Sequence, residues 1–180
     1  RDRIWALDYV PTEPMKVMKS MHEFSADPAN EHAPGPRHPH GRPHLLLAYA
    51  HMELHAPGRP RVVTLNHDFV ALVPFWAVWP FEIMVLPYKR FLGSLQDFTE
   101  AEISSLAHIL GEVTCRYDNL FRTSFPYSMG IHQKPVPHAQ DSLALYALFH
   151  IHFYPPLLRS ATVRKFLVGY VFLHASLTLG

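Results

Sequence analysis

The amino-acid composition of the chain changes near residue 60. Residues 1–60 contain nine of the chain's 17 prolines and seven of its 14 histidines, and residues 33–44 read APGPRHPHGRPH. Proline fixes φ and lacks an N–H donor, so such a composition interrupts helices and strands. We therefore predict a largely irregular segment over residues 1–60, with residues 1–44 poorly packed and a short helix or strand at 45–54. Residues 61–180 are predicted to form the compact domain.

The compact part begins with apolar runs that predict β-strands. Strands are expected at 61–65, 69–79 and 81–86, with Pro74 and Pro87 marking bends or edges. Two more are expected at 125–132 and 143–154, and residues 157–170 are expected to form a return segment or helix. Neighbouring runs of this kind are typical of antiparallel strands.

One long helix is predicted over residues 99–121. Thr99 and Glu102 have the spacing of a capping box. Apolar residues at three-and-four spacing define one buried face, formed by Ile103, Leu106, Leu110, Val113 and Tyr117. A sheet with one covering helix is an α+β fold.

Composition excludes several classes of function. The formal net charge is +1, with 48% hydrophobic and 17% charged residues. A packed core is therefore expected, and charge gives no case for binding nucleic acid or an anionic membrane. Residues 166–180 form an apolar stretch too short to span a bilayer, and the first ten residues lack the apolar core of a signal peptide. With Cys115 as the single cysteine, a soluble protein of a reducing compartment is expected.

Two histidine patterns are candidates for chemistry. His38-Pro39-His40-Gly41 places two imidazoles on one side of an extended backbone, and neutral imidazole is a competent nucleophile at phosphorus. The alternative is a solvated loop in which the pattern arises from composition. His150-Ile151-His152 has the same spacing inside an apolar run, with His132 upstream. Three converging histidines are a credible metal site, and the alternative is a pair of hydrogen-bonded strand histidines.

Other polar residues are weaker candidates. Arg159, Arg164 and Lys165 follow Pro155-Pro156 and are suited to binding phosphate, or else form an exposed charged face. Cys115 lies near the apolar face of the predicted helix without a neighbouring base, so we interpret it as a small core residue.

Several long strings resemble one known family. They are VALVPFWAVWPFE at 70–82, RYDNLF at 116–121, SFPYSMG at 124–130, and HFYPPLLRSATVRKF with VGY at 152–170. LLLAYAHMEL at 45–54 is similar to the family segment just upstream. Together they make residues 62–170 resemble the C-terminal half of galactose-1-phosphate uridylyltransferase, in the histidine-triad superfamily. The resemblance implies an open antiparallel sheet with a covering helix, and a cytoplasmic homodimer.

The resemblance also implies an activity and its substrates. The family transfers UMP from UDP-glucose to galactose-1-phosphate through a uridylyl-histidine formed on a His-Pro-His-Gly-Gln motif of its N-terminal half. Carried onto this chain, the motif makes His40 the nucleophile, and Arg42 stands where the family's phosphate-binding Gln is found. Lys165, Val168 and Tyr170 fall where the family contacts the sugar phosphate across the dimer.

Two metal sites are implied by the same resemblance. His38 is implied as a zinc ligand, and the second, structural site takes zinc or iron at His132, His150 and His152. The family's Cys-x-x-Cys ligands and a Glu ligand of the second site have no counterpart in the sequence. The alternative function is therefore a truncated, catalytically impaired member that dimerises or binds metal. A histidine-triad nucleotide hydrolase is a third possibility.

Overall fold

The computed structural model describes residues 12–135 and 142–155, and within them the predicted α+β class is confirmed. The helices and strands, in chain order, are α1 Thr12–Ala26, α2 Leu45–His55, β1 Val62–Leu65, β2 Phe69–Leu72, β3 Ile83–Pro87, α3 Glu100–Phe121, β4 Ser128–His132 and β5 His150–Tyr154. The strands form one open sheet in the order β1-β2-β3-β5-β4, and every neighbouring pair is antiparallel.

Both faces of the sheet centre are covered, because side chains alternate between two cores. Phe69 and Ala71 of β2 pack in the core that includes α3, whereas Val70 and Leu72 pack in the core that includes α2. Every residue of β2 and β3 is buried as a result. Strand β4 lies at an edge of the sheet.

Helix α3 begins as predicted, with the reciprocal hydrogen bonds of a capping box between Thr99 and Glu102. The predicted buried face is correct at three positions and wrong at Ile103, which is 52% exposed. Ile109 is buried in its place, and Leu110 is half-buried. A buried face with Ile103 and one with Ile109 both fit a helical repeat. Packing decides between them, because the α3 residues in the core begin at Leu106.

The segment before residue 60 is more ordered than predicted. The expectation of poor packing was wrong for α1, whose Met18 and Met21 are 3% and 2% exposed. Pro14 lies in the first turn of this helix, where proline is tolerated, and Pro28 follows its end. Residues 45–54, predicted as helix or strand, lie in α2. The division of the chain at residue 60 stays a prediction.

Some predicted segments lie outside the described residues. These include the return segment at 157–170 and the basic residues Arg159, Arg164 and Lys165. Over the part of the chain that the structure describes, no helix combines the length and apolar character that a membrane crossing requires.

Candidate functional site

The pairing of β4 with β5 gathers three histidines. His132 lies opposite His150, and Gly130 lies opposite His152, so alternate residues of the two strands place all three imidazoles on one face. Their candidate ligand atoms all lie within 4.8 Å of one another. We call His132, His150 and His152 the histidine cluster. The expected convergence is present in the structure, and the role of these residues as metal ligands stays a prediction.

Burial favours the uncharged form of two rings in the cluster, His132 and His150. His150 and His152 are 6% and 8% exposed, and His132 is half-buried. Desolvation, with the neighbouring His152, lowers the pKa of His132 to about 4. Desolvation, with His132 and His152 nearby, lowers the pKa of His150 well below its ordinary value. Both rings are therefore neutral near pH 7, which is the form that binds metal.

Groups outside the cluster face the Nδ1 atoms of His150 and His152. Nδ1 of His150 donates to the carbonyl oxygen of Leu148 at 2.8 Å, which leaves Nε2 with its lone pair. Nδ1 of His152 is buried without a hydrogen-bond partner among the described residues, and it lies 3.5 Å from Oε1 of Glu82. Three imidazole nitrogens fit a zinc-type ion, which is usually four-coordinate, and leave its fourth position to another ligand. The residues present therefore fit a metal.

A second pair of histidines binds backbone carbonyls instead. Nε2 of His38 lies 2.9 Å from the carbonyl oxygen of Leu145, and Nε2 of His44 lies 2.9 Å from that of Tyr146. Because a carbonyl only accepts, both Nε2 atoms carry the proton and donate. We call His38 and His44 the histidine clamp, since they hold the short 3₁₀ turn Ala144–Tyr146 that precedes β5.

The clamp is packed among aromatic rings. The His38 ring stacks on Tyr146 at 4.8 Å between centroids and meets the edge of Phe91 at 4.6 Å. His44 is fully buried, and desolvation lowers its pKa to about 4. Nδ1 of His38 also accepts from the backbone N–H of His40, so both ring nitrogens of His38 are engaged. His40 and His44 lie beside His38, but the described residues bring no three ligand atoms together there, and zinc binding at His38 stays a prediction.

The predicted nucleophile lies in a tight turn. His40 and Arg42 are exposed, and Gly41 has φ +80°, which glycine adopts without strain. His40 lines an open cleft of about 590 Å³ with Ser94 and Lys134. Lys134 would favour an anion in the cleft, whereas Asp97, which also lines it, would not. Among the described residues, no hydrogen bond fixes the His40 ring. Its role as nucleophile stays a prediction.

Three expected substrate contacts lie outside the described residues, namely Lys165, Val168 and Tyr170. Two residues near the histidines were not singled out from the sequence. Glu82 is 4% exposed, and the available signal was a carboxylate directly after an apolar run. His44 is buried by contacts with residues about a hundred positions away, which no local pattern indicates.

Comparison with known proteins identifies relatives over most of the chain. The family model described as galactose-1-phosphate uridyl transferase, C-terminal domain, matches residues 27–178. Galactose-1-phosphate uridylyltransferase of Kluyveromyces lactis is 50% identical over 166 residues, covering 92% of this chain and 40% of that protein. The protein of the same name from Rattus norvegicus is 40% identical over 168 residues, covering 93% of this chain and 40% of its own length. The chain thus spans about two fifths of the curated relatives it matches.

Solved structures share the fold. A uridylyltransferase mutant superimposes with a TM-score of 0.65 at 23% identity, covering 93% of this chain and 48% of that one. An ADP-glucose phosphorylase from Arabidopsis thaliana with bound ADP-glucose superimposes with a TM-score of 0.63 at 18% identity, covering 91% of this chain and 45% of that one. At these identities the likeness concerns the fold alone, and it agrees with the open antiparallel sheet that the sequence predicts.

Proposed function

Since the chain belongs to the galactose-1-phosphate uridyl transferase family through its C-terminal domain, we propose that it serves uridylyl transfer in galactose metabolism. The observation that carries the proposal is identity of 40–50% with relatives of that name across 92–93% of the chain. Because the chain spans only about 40% of those relatives, the activity is proposed for the protein that contains this domain. The same observation favours the transferase over the impaired-remnant alternative.

The proposed reaction has two steps that share a phosphohistidine. An imidazole nitrogen bonds to the α-phosphorus of UDP-glucose while the bond from phosphorus to the bridging oxygen breaks, and glucose-1-phosphate leaves. A phosphate oxygen of galactose-1-phosphate then bonds to the same phosphorus, the nitrogen–phosphorus bond breaks, and UDP-galactose is released. Neutral imidazole suits both steps because it attacks without prior deprotonation and leaves readily.

Two histidines compete for the role of nucleophile. One is His40, and the other is a histidine in the part of the relatives' length that this chain does not span. His40 is exposed and unfixed, whereas transfer requires an aligned and water-shielded nucleophile. Residues 38–40 also fall inside the match to the C-terminal domain, while the resemblance places the nucleophile in the N-terminal half. We therefore favour the second histidine.

We propose that the histidine cluster holds zinc, with iron as the alternative. A bound cation would supply a crosslink between β4 and β5 through three imidazole lone pairs. The chain's own residues hold the three rings in place. The carbonyl of Leu148 fixes the ring of His150, and the pairing of β4 with β5 fixes the spacing of His132 and His152. The resemblance assigns this site a structural role, and the proposal follows it.

The substrates and assembly are part of the same proposal. UDP-glucose and galactose-1-phosphate are the proposed ligands, with Arg42, Lys165, Val168 and Tyr170 as contacts to their phosphates and sugars. A cytoplasmic homodimer is proposed because the family contacts the sugar phosphate across a dimer. These assignments rest on the resemblance and the relatives, not on the geometry of the described residues.

A chimera tests the transferase proposal. This chain would replace the matched 166-residue portion of the Kluyveromyces lactis relative, and UDP-galactose formation would be measured with UDP-glucose and galactose-1-phosphate. We expect an active chimera. An inactive chimera that folds, shown by circular dichroism and an unfolding transition, would instead favour the remnant.

The same chimera separates the two candidate nucleophiles. Incubation with UDP-glucose without acceptor should trap an acid-labile UMP adduct, located by mass spectrometry. His40→Ala, with His55→Ala as the control for an exposed histidine, should leave the adduct intact if the nucleophile lies elsewhere. Loss of the adduct in His40→Ala alone would establish His40.

A further inference from the structure

Glu82 is a buried carboxylate between two parts of the molecule. It directly precedes β3 and is 4% exposed. Its Oε1 lies 3.5 Å from Nδ1 of His152 in the histidine cluster. Its Oε2 accepts from the backbone N–H groups of Val78 at 3.2 Å and Trp79 at 3.4 Å. The two oxygens thus face a candidate ligand and a loop.

No lysine or arginine of the described residues forms an ion pair with Glu82. Among the described residues, the ion pair of Glu82 is with His152, a neutral ring when it acts as a ligand. A buried carboxylate is costly without a compensating charge. A divalent cation bound to the other ring nitrogen of His152 would supply the positive charge that compensates the Glu82 carboxylate. The Glu82 carboxylate lies outside the group of three converging ligand atoms.

The loop at residues 74–81, which we call the aromatic loop, exposes large apolar side chains. Phe75 is 74% exposed and Val78 is 65% exposed. Its beginning is anchored where the N–H of Phe75 donates to the hydroxyl of Tyr49 at 2.8 Å, and its end where Tyr117 donates to the carbonyl of Phe81. Glu82 holds the middle of the loop, through the two N–H groups described above.

We propose that Glu82 is a positioning residue that orients His152 toward a divalent cation and couples occupancy of the histidine cluster to the aromatic loop. The inference rests on the proposed metal site and deepens it. A carboxylate that accepts from Nδ1–H fixes the tautomer with the lone pair on Nε2 and increases the basicity of the ring. The present 3.5 Å separation exceeds the usual length of that hydrogen bond, so a small rotation on metal binding completes it.

Two substitutions at Glu82 separate its two contacts. Glu82→Gln keeps an oxygen that can accept from Val78 and Trp79, and presents an NH₂ group to Nδ1 of His152. His152 then places its proton on Nε2, where it cannot bind a cation. Glu82→Ala removes both contacts. The pair therefore distinguishes orientation of the ligand from anchoring of the loop.

The test uses the full 180-residue chain with Trp5→Phe as background, so that emission reports Trp76 and Trp79. Co²⁺ is titrated and followed by its visible absorption, Zn²⁺ affinity is measured by competition, and tryptophan emission is recorded with and without Zn²⁺. In Glu82→Gln we expect Zn²⁺ affinity to fall by roughly 10- to 100-fold, which is the usual effect of removing such a partner. We also expect the Zn²⁺-induced emission change to disappear while the metal-free emission stays unchanged.

The positioning role of Glu82, the metal site and uridylyl transfer are tested by different outcomes. Equal Zn²⁺ affinity and an equal emission response in Glu82→Gln and the parent would overturn the positioning role. A parent chain that binds neither cation overturns the metal site and this inference together, whereas uridylyl transfer by the chimera is measured independently. Glu82→Ala is expected to show altered emission before metal is added. If that variant does not fold, Glu82→Gln alone decides.

Discussion

The histidine clamp and the histidine cluster contain the same side chain in similar surroundings, yet their geometry differs. Both groups contain buried rings, and desolvation lowers the pKa of His44 and of His132 to about 4 alike. In the clamp, His38 and His44 donate Nε2–H to carbonyl oxygens of a turn. In the cluster, the candidate ligand atoms converge within 4.8 Å of one another.

Burial and a lowered pKa therefore do not identify a metal-binding histidine. Convergence of the remaining ring nitrogens does. His150 and His44 each donate one ring N–H to a carbonyl oxygen, but among the described residues the ligand atoms converge only in the cluster. The two groups also act on one stretch of chain. The clamp fixes the turn Ala144–Tyr146, and β5 begins four residues later with His150.

The largest expected difference between the two groups is in metal affinity. His150→Ala should weaken Zn²⁺ binding by roughly a hundredfold to a thousandfold, because about 10–16 kcal/mol of binding is shared among about four ligands in structural zinc sites. His44→Ala removes no proposed ligand, so its affinity should stay within about threefold of the parent. Competition titration with a chelator measures both. Equal losses in the two variants would break the distinction between clamp and cluster.

In the metal-free protein, the clamp should contribute strongly to the free energy of unfolding. His44→Ala removes a donor from the Tyr146 carbonyl and leaves a cavity at a fully buried position, so we expect a loss of about 3–4 kcal/mol in the free energy of unfolding. Urea denaturation of metal-free protein measures it. The matched control is His55→Ala on the exposed side of α2, which should change stability by less than about 0.5 kcal/mol. Similar losses in both variants would show that the clamp does not stabilise the fold.

The contribution of His44 to the free energy of unfolding should fall in acid over a defined pH range. The pKa of His44 is about 4 in the folded protein and near 6.5 when unfolded, so the unfolded chain takes up its proton first as the pH falls. Stability from this residue is full above about pH 6.5 and is lost progressively down to about pH 4. The loss is at most on the order of 3 kcal/mol.

A non-titrating variant checks that assignment. His44→Gln can still direct an N–H toward Tyr146, and it lacks the ionisation. Denaturation of metal-free protein at several pH values should show a shallower decline between pH 6.5 and 4 for the variant. An unchanged slope would mean that other groups, such as His132 and His150, account for the acid sensitivity.

The sheet and α3 were predictable because their signals are local. Apolar runs, proline breaks and the Thr99–Glu102 capping box each lie within a few residues. The three-histidine convergence was also predictable, since i and i+2 residues of a strand share a face. Helix α1 was missed because its buried apolar residues, Met18 and Met21, lie in a Pro- and His-rich segment, and that composition concealed their spacing.

The remaining features depend on long-range contacts. His44 and Tyr146 are 102 residues apart, and nothing near His44 distinguishes it from the other histidines of residues 33–44. Glu82 and His152 meet because β3 pairs with β5, a neighbour relation that the strand order determines and the local pattern does not. The choice of Ile109 over Ile103 on α3 likewise depends on how the helix lies on the sheet.

The smallest expected effect is at His40, which lies in the same turn as the clamp but outside it. His40→Ala should change the free energy of unfolding by less than about 0.5 kcal/mol, because its ring is exposed. Its contribution to the clamp is the backbone N–H that donates to Nδ1 of His38, and alanine retains that group. His38→Ala is the matched comparison and should cost more, since it removes the donor to Leu145 and a ring packed on Tyr146. Urea denaturation of both variants gives the contrast. A loss above about 1 kcal/mol in His40→Ala would mean that its ring is packed into the loop and not free to meet a substrate.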